Sequence, residues 1–563
     1  TARYGSVGTG VTVTSIKQQR DLYYDTKYWE NNSCYGRYEQ KLYYLDQIQN
    51  YFKDNGASVK GFSSVFSQMF SDLDTLRSKP KTVRNQFISS AQSFCTYFNQ
   101  MSDNLSKLQD DCNEEIRNRV DEINSISEKI SLLNKEINQI ETGTGVEASS
   151  LRDERANLMD NLSKIVNVSY KETPIQNTNG DNLGGTSFCL FVNGEKIVDG
   201  KDYRKLVCES TDIKNNQTDN DDLFKIYWAD TKMEFVATAG TAGGSLKALF
   251  EMRDGDNLEN FKGKVTQADS YSFTVSNTSL TNIKSLNLPD TNGKITVDHV
   301  TYTYDSWEAE VDADGNIKSM KFNLSKNKAV ANPAAVVADN ATLSAGSGIN
   351  ERGIPYYMTQ LNEFVRNFAE LFNKAESKGQ NMNGDTPPTF FEGITATGKV
   401  YDFSDSDAYS KLTDGQTTTI SSSSNTYYRL TAGNYSVNKD VMNNVSLFAT
   451  ATDYVKTDAC DIVDELKKLQ SQTTVYRGDK AESFLETIIS NVSVDTEKAE
   501  TNNKLYQNLE QTISNQRTSV SGVDEDEEAL NLIKYQNAYN MASKVISIMS
   551  QMLEKLINDT GVA

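Results

Sequence analysis

Residues 81–142 contain neither glycine nor proline, and apolar residues recur across them at steps of three or four. The series runs Phe87, Ala91, Phe94, Phe98, Met101, Leu105, Leu108, Cys112, Ile116, Val120, Ile123, Ile126, Ile130, Leu133, Ile137 and Ile140. Side chains three and four apart share one helix face, so the pattern specifies one long helix with a single apolar stripe. At 1.5 Å per residue it makes a rod of roughly 90 Å. Other helices must cover such a stripe, so the expected setting is a coiled-coil-like bundle core.

Covering helices are available at both ends of the chain. Arg20 to Phe52 reads as one helix with Leu22, Trp29, Leu42, Leu45 and Phe52 among its apolar positions, and Gly36 as a weak point. Ser63–Leu76 is a short amphipathic helix, ended by a break at Pro80. Leu151–Val166 follows the Gly143–Gly145 stop. Tyr356–Ala375, behind Pro355, presents Leu361, Phe364, Phe368, Leu371 and Phe372. Val455–Val475 and Glu482–Arg517 follow, the latter with Phe484, Ile488, Val492, Leu505, Leu509 and Ile513 on one face.

From about residue 169 the period changes from 3.6 to 2, the spacing of strands. Phe188–Val198 is a hairpin with an Asn193-Gly194 turn, and Asp314-Gly315 turns between Trp307–Val311 and Ile317–Leu324. Residues 383–445 are rich in Thr and Ser. The fold class is therefore α+β and multidomain: a long-helix bundle from the N- and C-terminal thirds, with mainly-β domains in the middle. The expected divisions are two bundle segments (1–168 and 456–520), a first β domain (169–242), short helical returns (243–256 and 353–382), a second β domain (257–352), a loop-rich β segment (383–455) and a terminal helix (521–563).

Composition removes several classes of function. A formal net charge of −20 opposes a nucleic-acid role, because phosphates require a basic surface. No apolar run approaches the 18 or so residues of a membrane span, and no cleaved leader is visible. His299 is the only histidine, which excludes sites built on two imidazoles and leaves a single candidate base for a Ser-His-Asp site. It lies in the alternating run Lys294–Tyr304 and reads as a strand-surface residue. Gly5–Gly10 runs into the strand Val11–Ile16 and not into a helix, so it is a turn and not a phosphate cradle. Asp312–Asn316 lacks the ligands of a calcium loop. Six scattered cysteines read as isolated thiols, with a Cys189–Cys208 bridge the one conceivable pair. No catalytic, cofactor or metal site is expected.

The C-terminal stretch has a sharper design. After an acidic run, Leu532, Tyr535, Tyr539, Ala542, Ile546, Met549, Leu553 and Leu556 follow strict 3-4 spacing. Ala538, Met541, Val545, Ile548 and Met552 form a second row beside them. Asp524 with Glu527 three residues on is a candidate capping box, and the acidic run suits the positive end of a helix. Two apolar rows behind an acidic cap form an assembly helix that needs a helical partner.

The run Ser521–Ser547, with Gln536–Ile546 inside it, resembles the C-terminal motif of the flagellar axial protein family, and the Ser521-Gly522-Val523 lead-in with Glu527-Glu528 is similar to its hook–filament junction members. Gly8–Ile16 with Arg20-Asp21, Leu151–Arg155 with Leu162–Val168, and Gly243–Leu249 with Arg253-Asp254 also resemble that family, as does Gly353–Tyr357 with Leu361–Phe364. The resemblance implies that 257–352 is an inserted domain, and that an apolar helix absent here precedes the Gly8–Val11 strand. It further implies a structural adaptor in a ring of its own copies, joining hook to filament, with the hook protein, a second junction protein and an export chaperone as partners. Such a protein is extracellular, exported through the flagellar secretion system without a cleaved signal peptide. Alternatives are a flagellin, or an adhesin acting through its β domains.

Overall fold

The computed structural model describes residues 21–53, 61–77, 83–143, 146–395, 397–455, 460–522 and 525–560. The Gly5–Gly10 turn, the Val11–Ile16 strand, Pro80 and Asp524 lie outside the described residues.

Four helices open the structure: α1 (Leu22–Phe52), α2 (Phe62–Thr75), α3 (Arg84–Glu141) and α4 (Ser149–Ile165). Asp21 caps α1 by accepting the Tyr23 amide at 2.9 Å. The α3 stripe is buried from Phe87 to Ile137, whereas Ile140 is exposed. At that end the covered face belongs to Glu141, whose carboxylate holds the Arg152 guanidinium at 2.7 Å and the Ala148 amide at 3.0 Å. Gly143 then stops the helix in the left-handed region (φ 82°), where its amide donates to the Leu183 carbonyl.

Strands β1 (Val168–Gln176), β2 (Asn182–Val192), β3 (Glu195–Asp199) and β4 (Asp202–Tyr203) form an antiparallel sheet in that order. Asn193 and Gly194, both at positive φ, make the turn between β2 and β3. Strands β5 (Leu206–Thr211) and β6 (Leu223–Trp228) pair as a ribbon. The apolar side chains of this region, including Phe188, Leu190, Val198, Ile226 and Trp228, join the core of the helices. Helix α5 (Gly244–Asp254) then returns to the bundle, its Glu251 carboxylate paired with Arg37 of α1 at 2.7 Å.

The next strands close on themselves. β7 (Lys262–Asp269), β8 (Ser272–Ser276), β9 (Gly293–Val297), β10 (Val300–Val311), β11 (Ile317–Leu324) and, after the short α6 (Pro333–Ala338), β12 (Thr342–Ala345) run in the order β11-β8-β7-β12-β9-β10. β10 pairs again with β11, so these six strands close into a barrel. Its interior, with Phe273, Tyr304, Trp307, Met320 and Phe322, is a core separate from that of the helices. His299 corrects the strand-surface reading. With Asp298 it forms the two-residue turn between β9 and β10, both at positive φ (47° and 67°), and it is exposed.

Helix α7 (Ile354–Glu376) is the hub of the larger core. Phe364 stacks on Phe98 and on Phe484, at 5.5 Å and 4.2 Å between centroids, and Phe368 meets Phe66, Phe94 and Phe391. The following segment divides its loyalties. In β13 (Phe391–Gly393), α8 (Ser404–Ser410), β14 (Thr418–Ser421), β15 (Tyr435–Val437) and α9 (Lys439–Asn443), Phe391 and Tyr435 join the helical core. Tyr409 and Ile420 join the barrel, whose sheet β14 extends by pairing with β10. The chain closes with α10 (Asp461–Ser471), the small β16 (Thr474–Tyr476) and β17 (Asp479–Lys480), α11 (Ala481–Ser521) and α12 (Glu525–Thr560). α11 lies along α1. The molecule is α+β, with long terminal helices and mainly-strand middle regions. All six cysteines are free thiols, so Cys189 and Cys208 are not bridged.

The C-terminal helix as candidate assembly site

α12 has 36 residues, about 54 Å of helix. Leu532, Tyr535, Tyr539, Ala542, Ile546, Met549, Leu553 and Leu556 all lie on its exposed surface, as do Ala538, Met541, Val545, Ile548 and Met552. The large apolar side chains among them are between 54% and 74% exposed, far above the core residues of the other helices. Burial of side chains of this size stabilises by roughly 1.5–3 kcal/mol each, so the helix carries substantial unused binding free energy. Leu530, Ile533 and Ile557 are exposed too and widen the apolar surface. They lie off the two rows, and row spacing alone does not reveal them.

The carboxylates Glu525, Asp526, Glu527 and Glu528 occupy the first turn, where they complement the positive helix end. Of the candidate cap, Glu527 is in that turn and Asp524 is outside the described residues.

The end of α11 that leads toward α12 is held against α1 and α4. α11 runs to Ser521, and Gly522 breaks the helix with extended dihedrals (φ −72°, ψ 144°). One turn before the break, Arg517 reaches Asp25 of α1 at 2.9 Å and Asp160 of α4 at 3.0 Å. Its guanidinium also sits 4.5 Å from the centre of the Tyr28 ring. Asp160 accepts from the Trp29 indole at 2.6 Å. Burial, then the charges of Asp160 and Glu510, push the Tyr28 phenol up to about 12. Nothing in the local sequence marks this anchor, because its members come from three distant helices.

Among the described residues no cluster of His, Cys, Asp and Glu is arranged to hold a metal ion, and no helix is long and apolar enough to cross a membrane.

Comparison with known proteins now bears on this helix. A family model described as the helical domain of flagellar hook-associated protein FlgK matches residues 45–278, and one described as the C-terminal region of flagellar basal body rod FlgEFG proteins matches residues 514–559. A protein named flagellar hook-associated protein 1 from Bacillus subtilis is 23% identical over 99% of this chain and 87% of its own length. The chain is thus similar, over nearly its whole length, to flagellar hook-associated protein 1. A protein of the same name from Escherichia coli is likewise 23% identical, over 98% of this chain and 90% of its own. The solved flagellar hook junction protein FlgK from Burkholderia pseudomallei covers 88% of this chain and 100% of its own, at a TM-score of 0.48 and 12% identity. The second family match spans α12 from Glu525 to Asp559, so the exposed helix is the part of the chain similar to the C-terminal region of basal body rod FlgEFG proteins.

Proposed function

We propose that this protein is the structural adaptor between hook and filament of the bacterial flagellum, and that α12 is the element through which it assembles. The observation that carries the mechanism is the exposure of both apolar rows along the whole of α12. An isolated helix is marginal in water, whereas one whose apolar face is covered is consolidated. Neighbouring axial subunits supply the cover, so the ordering cost of α12 is met at assembly and not before. The residues that make the seam are Leu532, Tyr535, Tyr539, Ala542, Ile546, Met549, Leu553 and Leu556, with Asp524 and Glu527 at the cap.

The relatives' shared name favours this reading over a filament subunit or an adhesin. The protein is a flagellar component that works with other axial proteins. The finer partners are a ring of its own copies, the hook protein, a second junction protein and an export chaperone, with export through the flagellar secretion channel. Its role is structural and not enzymatic.

Electron microscopy of cells lacking the protein tests the function. Intact hooks without filaments are expected, and normal filaments on those hooks would overturn it.

A further inference from the structure

Helix α11 is continuous in backbone but divided in the way it is held. Its first half is seated by apolar burial. Phe484, Ile488, Val492 and Ala499 are all 2% exposed or less, and Phe484 also meets the Tyr476 ring at 4.5 Å. Beyond Ala499 no described side chain of α11 is buried, and Leu505 and Leu509 face solvent.

The second half is held to α1 by polar and ring contacts at intervals of three to seven residues. The Asn31 amide donates to the Tyr506 carbonyl at 2.9 Å, and the Tyr506 ring stacks on Tyr38 at 5.5 Å. The Tyr28 hydroxyl donates to Glu510 at 3.2 Å, and Arg517 closes the series on Asp25 and Asp160. The opposing stretch of α1 buries Asp25, Asn31, Asn32 and Ser33, with Trp29 its one large buried apolar side chain. Water competes for polar contacts like these far better than for buried apolar surface, so such a joint opens at lower free energy than a packed core.

We propose that residues 500–521 form a separately opening unit of the fold, a strap latched by Arg517, which can release from α1 while residues 481–499 stay packed. Opening frees about another 20 residues of helix contiguous with α12, so the segment available for rearrangement on assembly begins near residue 500 and not at Gly522. That consequence rests on α12 being the assembly helix; the opening itself does not.

Hydrogen exchange of the full-length monomer, read by mass spectrometry, tests the strap. Amides of 500–521 are expected to exchange together, about ten-fold or more faster than those of 481–499. Arg517→Met is expected to speed the 500–521 amides several-fold further. Equal protection along all of α11 overturns the proposal. So does the absence of an R517M effect on 500–521. Failure of α12 to assemble would leave these results as they are, so the two readings fail separately.

Discussion

Gly36 of α1 lies directly against Lys164 of α4: a Cβ built on Gly36 would stand 2.1 Å from the Lys164 carbonyl oxygen. The sequence marks Gly36 as a weak point in a long helix, but the structure uses it as the place where two helix backbones come close. Alanine would gain up to about 1 kcal/mol in helix propensity yet force α1 and α4 apart, at a typical overpacking cost of about 1–3 kcal/mol. The Gly36→Ala protein is therefore expected to be less stable in denaturant titration, against the direction that propensity alone predicts.

Glu392 offers a pH test. It is 2% exposed on β13, one carboxylate oxygen has no hydrogen-bond partner, and burial pushes its carboxyl up to about 7. The folded value lies above the ordinary 4.5, so the native state holds the proton more tightly than the unfolded chain does. Its contribution to stability is present in full below about pH 4.5 and is lost as pH rises through about 7. Glu392→Gln mimics the protonated form. It is expected to stabilise the protein by about 2–3 kcal/mol at pH 8 and to have little effect at pH 4. Paired urea titrations at the two pH values check the sign.

Arg366 joins the barrel to the helices. It is 1% exposed, and its hydrogen bonds among the described residues run to neutral oxygens. Nε–H donates to the Leu430 carbonyl at 2.8 Å, and Nη1 donates to those of Lys284 and Leu286 at 2.9 and 2.7 Å. Nη2 donates to the Gln217 side chain. Burial drags the guanidinium down to about 10, which still leaves it charged at neutral pH. Arg366→Met would strand these buried acceptors, at about 1–3 kcal/mol each. Calorimetry of the variant is expected to separate a barrel transition from that of the helical body, and one unchanged transition would refute the clamp.

The parts legible in the sequence are those set by neighbours along the chain. The α3 stripe, the Asn193-Gly194 turn and the rows of α12 each declare themselves within a few residues. Barrel closure does not, because β12 pairs with β7 and β9 across long separations. Asp298-His299 hides a turn inside an alternating run, since Asp and His tolerate positive φ with little outward sign. On α11, three- and four-residue spacing assigns Leu505 and Leu509 to one face with Phe484, yet both are exposed. Leu505 stands three heptads from Phe484, and a drift of about 20° per heptad around a straight helix carries it off the buried side. The anchor of Arg517 on Asp25 and Asp160 depends on tertiary packing alone.

The exposure of α12 makes an unusually clean prediction about assembly. Replacing Leu532, Tyr539 and Ile546 together with Asp puts three charges along the first row, at positions that are 66–73% exposed in the monomer. Surface substitutions away from caps and cores usually change stability by less than about 0.5 kcal/mol, so the monomer should melt as before. A covered seam would have to bury three carboxylates without partners, at several kcal/mol each, which is enough to abolish pairing. The triple variant, produced in cells lacking the native protein, is expected to leave hooks without filaments. Deletion of 530–563 should behave alike, giving a folded, soluble monomer that does not join hook to filament. If the monomer of either variant lost its thermal transition, α12 would belong to the folded body, and its role as a modular assembly element would be refuted.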